Sequence, residues 1–164
     1  MPESSDDEHG QIERVRLALA ALGHDADIHV APDRTHTAAE AAAVAGCELG
    51  QIVKTLAVFV AGAPMLALVA GDRRLDDRLL AARFGVGRKQ IRLADAAQVL
   101  ELTGYPIGGV SPFGLPAPLP ALLDASFERY HTVWIAAGTA KAILPIELGE
   151  LAHYVNGTSA EISS

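Results

Sequence analysis

The sequence has 164 residues, of which 50% are hydrophobic and 20% are charged, a composition typical of one globular domain. Its net charge of −7 argues against a nucleic-acid partner, because Lys and Arg make most contacts to phosphate. Residues 1–10 lack the basic start and apolar run of a signal peptide, so we expect a disordered acidic tail and a cytoplasmic protein. The folded domain is predicted over residues 11–158, with a flexible segment at 159–164.

The domain is predicted to begin with two helices separated by a short strand. Apolar residues at steps of three and four predict an amphipathic helix over residues 11–22. A short strand is expected at 26–30. Thr37 and Glu40 have the spacing of a capping box, so they predict the start of an alanine-rich helix that ends at Gly46.

The stretch from Ile52 to Val60 is dense in β-branched and aromatic residues, which predicts a buried strand. Glycine and proline within residues 61–64 predict a turn into a second apolar strand at 65–70. Such a hairpin belongs in the middle of a sheet. Residues 55–71 carry no charge, but these 17 residues are too few for a membrane-spanning helix, which needs roughly 20. We therefore expect no membrane partner.

Lys54 is the one charged residue of the first hairpin strand. A lysine among apolar neighbours either extends its ammonium to water from the end of the strand or is held in a pocket where its charge is used. The strand by itself leaves both interpretations open.

Residues 73–92 form the most basic part of the sequence. They hold seven of the 13 basic residues against two acidic ones, a local charge of +5 that offsets the acidic total. Asp76 is expected to cap a helix in this segment, which ends at Gly85. The basic side chains form either a solvated helix face or a patch that faces phosphates.

Strands and helices continue to alternate after the basic segment. Strands are predicted near residues 90–93, 120–123, 131–136 and 142–146, and helices near 95–103 and 147–155. This alternation indicates an α/β or α+β domain with flanking helices. The hairpin excludes a purely parallel sheet, so the predicted sheet is mixed.

Residues 104–120 interrupt this alternation, since they hold four of the 15 glycines and five of the nine prolines. A long glycine- and proline-rich loop in a compact domain is usually functional, because glycine lets backbone N–H groups approach a ligand and proline fixes the loop. Residues 108–114 are therefore a second candidate site. The alternative is a rigid surface connection.

Ser111 in this loop invites comparison with a serine hydrolase, but the surrounding residues argue against it. A nucleophile elbow needs glycine where Phe113 stands, and its oxyanion hole uses the N–H that Pro112 lacks. Ser111 is expected to orient a group by hydrogen bonding. The six histidines show no helical pair at metal-ligand spacing and there is one cysteine, so we expect no metal and no cofactor.

Four motifs in order carry a resemblance to a known family. They are Thr37 to Glu40, Gln51 to Leu56 around Lys54, Gly71-Asp72, and Gly104 to Gly114. Together they resemble the YbaK/ProX family of freestanding aminoacyl-tRNA deacylases, which are related to the editing insertion of bacterial prolyl-tRNA synthetase. The resemblance extends over roughly residues 28–161.

The resemblance implies a mixed sheet curled into a barrel-like core, with a small pocket between Lys54 and the loop of residues 108–112. It implies that Lys54 positions the aminoacyl end of the tRNA, that the loop backbone holds the aminoacyl carbonyl, and that water attacks with help from the 2′-hydroxyl of the tRNA. The predicted catalytic residues are Lys54, Gly108, Gly109 and Ser111. The predicted substrate-binding residues are Val110, Pro112, Thr37 and Asp124, and the predicted tRNA-binding residues are Arg73, Arg74, Arg88 and Lys89.

The predicted function is trans-editing, the hydrolysis of a mischarged aminoacyl-tRNA that carries a small amino acid. The motifs favour alanyl-tRNA for proline among the substrates of the family. Expected partners are aminoacyl-tRNA and, as a second candidate, prolyl-tRNA synthetase, but not DNA. The alternative function is a binding module that senses an aminoacyl group or small amino acid without hydrolysing it.

Overall fold

A computed structural model describes residues 5–33, 35 and 37–164. Its first helix, α1, spans Ser5–Ala21 and begins six residues earlier than the sequence predicted. Residues 5–10 were expected to be a disordered tail, and that prediction is wrong for them; residues 1–4 lie outside the described residues. Asp6, Asp7 and Glu8 occupy the first turn of α1, where acidic side chains interact favourably with the positive end of the helix dipole.

A five-stranded mixed sheet carries the hairpin at its centre. Its order is β4-β2-β3-β5-β8, with β2 and β3 antiparallel and β5 parallel to both β3 and β8. The strands are β2 (Val53–Val60), β3 (Ala63–Ala70), β4 (Ile91–Leu93), β5 (Ala121–Asp124) and β8 (Thr158–Ala160). Ala61 and Gly62 form the hairpin turn, with positive φ angles of 49° and 84°. A two-residue hairpin turn of type I′ requires positive φ at both of its central residues.

A second, antiparallel sheet has the order β1-β7-β6. Its strands are β1 (His29–Val30), β6 (Thr132–Ala136) and β7 (Ala142–Glu147). The mixed fold class is confirmed, but the predicted barrel-like core is not a closed barrel. The two sheets meet through an isolated parallel bridge between Ile52 and Trp134, so continuous strand pairing does not run around the core.

Four further helices begin and end close to the predicted residues. They are α2 (Ala38–Ala45), α3 (Asp77–Phe84), α4 (Ala96–Thr103) and α5 (Leu148–Tyr154). The predicted caps of α2 and α3 are confirmed, because the Thr37 side chain accepts the N–H of Glu40 and the Asp76 side chain accepts two N–H groups. Within the described residues, no helix is long and apolar enough to cross a membrane.

The segment 159–164 was predicted to be flexible, but the structure shows it paired with the rest of the domain. Thr158–Ala160 form β8, which pairs with the edge of β5. Ile162 has no exposed surface and packs in an apolar cluster with Leu80, while Ser163 is 6% exposed. Burial of an isoleucine contributes about 1.5–3 kcal/mol, which offsets part of the entropy lost when the segment is ordered.

Candidate active site

A cavity of about 390 Å³ lies between the two sheets, next to the first turns of α2. Strand β2, the ends of β6 and β7, and the loop after α4 form its walls. Small and apolar side chains dominate the lining: Thr35, Thr37, Ala38, Ala41, Ile52, Val53, Lys54, Thr55, Leu56, Ala57, Leu93, Ala94, Val99, Ile107, Gly108, Val110, Trp134, Ala136, Thr139, Ala140, Ala142 and Ile143. Among these described residues, Lys54 is the one charged side chain.

Lys54 lies in the wall of this cavity, as the pocket interpretation requires. Its Nζ donates a hydrogen bond of 2.5 Å to the backbone carbonyl of Arg73, which belongs to the turn after β3. Partial burial lowers the pKa of Lys54, the nearby Arg74 lowers it further, and Asp72 and Asp124 act in the opposite direction. The Lys54 ammonium is therefore fixed by a hydrogen bond and partly shielded from water. Its catalytic role stays a prediction.

The glycine loop contributes a second wall, in which Gly108 and Val110 face the cavity. Gly108 has a φ angle of +90°, which a residue with a side chain rarely adopts. A Cβ on Gly109 would lie 2.6 Å from the Cα of Thr139, so this glycine lets the loop touch the turn between β6 and β7. The N–H of Gly109 donates to the carbonyl of Pro106 at 3.0 Å, so this donor serves the loop itself.

Two side chains outside the cavity hold the far end of this loop. The Tyr105 hydroxyl donates to the carbonyl of Phe113 at 2.5 Å. Arg14 of α1 donates from Nε to the carbonyl of Gly114 at 2.5 Å, and its guanidinium lies 4.9 Å from the centre of the Tyr105 ring. Burial raises the pKa of Tyr105 to about 12, so its hydroxyl stays a donor at neutral pH. Sequence reasoning missed both residues, because neither lies within the candidate motif of residues 108–114.

Four of the predicted catalytic and substrate-binding residues lie outside the cavity lining: Gly109, Ser111, Pro112 and Asp124. Ser111 is fully buried, and its Oγ accepts the N–H of Phe113 at 3.1 Å, so its hydroxyl orients the loop's own backbone. Pro112 follows it in the loop. Asp124 is 3% exposed at the end of β5, and its carboxylate accepts hydroxyl hydrogen bonds from Ser126 and Ser163, each of 2.6 Å.

Thr37 lies in the cavity lining, as predicted for a substrate-binding residue. Three threonines that were not predicted as site residues also line the cavity: Thr35, Thr55 and Thr139. The Thr37 hydroxyl caps α2, accepting the N–H of Glu40 at 3.1 Å. Thr55, the residue after Lys54, has a buried Oγ1 without a hydrogen-bond partner among the described residues. A buried hydroxyl without a hydrogen-bond partner is uncommon in proteins, which singles out Thr55 among the lining residues. Its signal in the sequence was its place beside Lys54 on the hairpin strand.

The predicted tRNA-binding residues lie outside the cavity, and two of them have partners within the protein. Arg88 forms an ion pair of 2.9 Å with Asp77, and Arg73 donates from Nε to the Ser163 hydroxyl at 2.6 Å. Arg74 lies near enough to Lys54 to affect its pKa, and Lys89 lies in a short 3-10 helix over Arg88–Gln90. In the part of the chain that the structure describes, no group of three or more His, Cys, Asp or Glu residues could hold a metal ion.

Comparison with known proteins identifies the family. The family model described as the aminoacyl-tRNA editing domain matches residues 32–154. The chain belongs to the aminoacyl-tRNA editing domain family. The predicted family and the predicted class of activity, aminoacyl-tRNA deacylation, are thereby confirmed.

Individual relatives agree with this assignment. A protein of Enterococcus faecalis, provisionally named a Cys-tRNA(Pro)/Cys-tRNA(Cys) deacylase, is 30% identical over 131 residues, which are 79% of each protein. The proline–tRNA ligase of Maridesulfovibrio salexigens is 44% identical over 86 residues, which are 52% of this chain but 14% of the ligase. A crystal structure provisionally described as a trans-editing enzyme for prolyl-tRNA synthetase superposes with a TM-score of 0.88 at 35% identity and covers 99% of both chains.

Proposed function

We propose that this editing domain removes a small, uncharged amino acid from a mischarged tRNA, with alanine on tRNA for proline as the first candidate. The observation that carries the proposal is the cavity of about 390 Å³, lined mainly by apolar side chains and threonines, with Lys54 as its one charge among the described residues. A charged side chain of a substrate would lose its hydration there without a partner of opposite sign, unless it were acidic and paired with Lys54. A small neutral side chain meets no such penalty.

In the proposed reaction, a water molecule attacks the ester carbonyl carbon of the aminoacyl-tRNA. The bond from that carbon to the ribose oxygen breaks and the ribose oxygen takes up a proton, leaving the free amino acid and the uncharged tRNA end. Lys54 positions the terminal adenosine or its ester through its ammonium, and the loop backbone at Gly108 and Val110 confines the aminoacyl group. The 2′-hydroxyl of the tRNA assists the water, so no protein nucleophile takes part.

Such a reaction forms the second sieve of an editing system. A synthetase rejects a smaller or isosteric amino acid poorly, because one methylene is worth only about 1–3 kcal/mol of discrimination. A separate pocket then hydrolyses the products that fit into it. The partners proposed here are aminoacyl-tRNA and prolyl-tRNA synthetase, in the cytoplasm; delivery by a synthetase would compensate for the acidic net charge of −7.

A panel of mischarged tRNAs tests this proposal. We expect the purified protein to release a small neutral amino acid from tRNA for proline faster than the uncatalysed rate, and to leave correctly charged prolyl-tRNA intact. The chain's one tryptophan, Trp134, lines the cavity, so its fluorescence reports binding in the same samples. Binding without faster release for every member of the panel would replace hydrolysis with the non-catalytic sensing function.

A further inference from the structure

The hydrogen bond that holds Lys54 depends on a stretch of chain without regular structure. Its acceptor, the Arg73 carbonyl, lies in the turn between β3 and α3, and the N–H of Arg73 donates to the carbonyl of Ala70 at 3.0 Å. Fixing a lysine side chain costs rotamer entropy, so one hydrogen bond holds it only if the acceptor is itself well fixed. The position of the Lys54 ammonium therefore depends on what fixes the Arg73 carbonyl.

The backbone of residues 162–164 pairs with this turn. Arg74 and Ser164 exchange two backbone hydrogen bonds of 3.0 and 2.9 Å, and the N–H of Asp76 donates to the carbonyl of Ile162 at 2.8 Å. Ile162 is fully buried and anchors the pairing in the core. The segment lies outside residues 32–154, which the family model matches.

Ser163 links the turn to a buried carboxylate through its side chain. Its Oγ accepts the Nε–H of Arg73 at 2.6 Å and donates to Oδ2 of Asp124 at 2.6 Å. The Ser163 carbonyl also accepts Nη2–H of Arg73 at 3.2 Å. The Arg73 guanidinium lies 4.0 Å from the Asp124 carboxylate, so the hydroxyl relays a charge-assisted interaction between two groups of opposite sign.

We propose that Ser163 is a positioning residue for the editing reaction. By fixing Arg73 against Asp124, it fixes the carbonyl that holds the ammonium of Lys54, a residue of the cavity lining. The proposal rests on the proposed function of Lys54. It also changes the expected role of Arg73. Its guanidinium donates hydrogen bonds to Ser163 and does not need a tRNA phosphate as its partner.

Ser163→Ala tests the positioning role, with Ser159→Ala as its matched control. Ser159 lies in the same segment and its hydroxyl donates to a carboxylate, Glu128, at 3.0 Å, but it is exposed and not linked to Arg73. We expect Ser163→Ala to lower kcat about 10-fold with KM within about twofold of wild type, because a misplaced catalytic group slows the reaction step. Ser159→Ala should match the wild type. Ser163→Thr, which keeps the hydroxyl, should recover most of the rate.

Arg73→Gln provides a second variant in case Ser163→Ala folds poorly. The positioning role predicts that it also lowers kcat and leaves KM nearly unchanged. A raised KM with unchanged kcat would overturn the proposal and return Arg73 to the predicted contact with tRNA.

A measurement on the resting protein separates this proposal from the proposed function. The chain has three lysines, so ¹³C labelling at lysine Cε gives three signals, and the Lys54 signal is identified by its loss in Lys54→Ala. We expect Ser163→Ala to shift that signal and Ser159→Ala to leave it in place. If the wild type is inactive but Ser163→Ala shifts the Lys54 signal, the proposed function is refuted and the structural link between Ser163 and Lys54 is kept. An unshifted signal, or kcat equal in the two serine variants, would overturn the positioning role.

Discussion

The two walls of the cavity are built in different ways, although both approach the same space. The glycine loop is fixed by its backbone shape, with Gly109 against the Thr139 backbone and with carbonyls held by Tyr105 and Arg14. Lys54 instead reaches the cavity on a flexible side chain, held through one hydrogen bond to the Arg73 carbonyl. Steric fit therefore determines the loop, whereas a chain of polar contacts determines the ammonium.

A second contrast concerns the segments that support each wall. Helix α1 supports the loop and residues 162–164 support Lys54, and both segments lie outside the residues matched by the family model. Motif residues such as Lys54, Gly108 and Val110 line the cavity, while flanking segments hold them in place. Four variants test this difference, in order of expected effect.

Lys54→Ala should have the largest effect on activity. We expect deacylation to fall about 100-fold or more, as the loss of a positioning or charge-stabilising group commonly does. The free energy of unfolding should change by less than about 1 kcal/mol, because the lost hydrogen bond is offset by removal of a partly desolvated charge. Lys54→Arg should recover little activity, since a planar guanidinium does not replace a compact ammonium. Deacylation rates and melting temperatures of the wild type and both variants measure these effects. A Lys54→Ala protein that hydrolyses like the wild type would contradict the prediction.

Gly109→Ala should damage both stability and activity. The new Cβ would lie 2.6 Å from the Cα of Thr139, so the loop must move away from the β6–β7 turn. We expect a loss of about 1–3 kcal/mol in the free energy of unfolding, as for other overpacked sites, and a fall in kcat of about 10-fold. Gly149→Ala is the matched control, since the structure shows no described heavy atom within 4 Å of a Cβ placed there. Equal behaviour of the two variants in denaturant unfolding and deacylation would show that the loop is only a surface connection.

Tyr105→Phe should reduce stability more than activity. It removes the donor to the buried Phe113 carbonyl, which costs about 1–3 kcal/mol when a buried acceptor is left unpaired. Because burial raises the pKa of Tyr105 from 10.0 to about 12, its contribution to stability is complete below pH 10 and is lost as the pH rises towards 12. The stability difference between wild type and Tyr105→Phe should therefore shrink over that interval. Urea unfolding at several alkaline pH values measures it, and a constant difference would show that burial does not raise the pKa of Tyr105.

Charge reversal in the basic segment should have the smallest effect, and on binding alone. If Arg88 and Lys89 face the tRNA backbone, the double variant with glutamate at both positions should raise KM, weaken its dependence on salt and leave kcat nearly unchanged. Arg16→Glu on α1 is a charge-reversal control outside the segment. The measurement is KM for aminoacyl-tRNA at several salt concentrations. An unchanged dependence of KM on salt in the double variant would assign the segment to a solvated face.

Features that depend on near neighbours in the chain could be predicted from the sequence. The caps at Thr37 and Asp76, the hairpin around Gly62, and the lysine on its first strand follow from local residue types and spacing. The motifs around Thr37 and Lys54 also carried part of the resemblance to the editing family. Contacts between distant groups became visible only in the folded structure. The Ser163 hydroxyl accepts a hydrogen bond from Arg73, which lies 90 residues away in the sequence. Arg14 donates one to the Gly114 carbonyl, which lies 100 residues away. Such contacts have no local pattern, because their hydrogen bonds form only after the core has packed, and so a segment that looked flexible in the sequence became part of the support for Lys54.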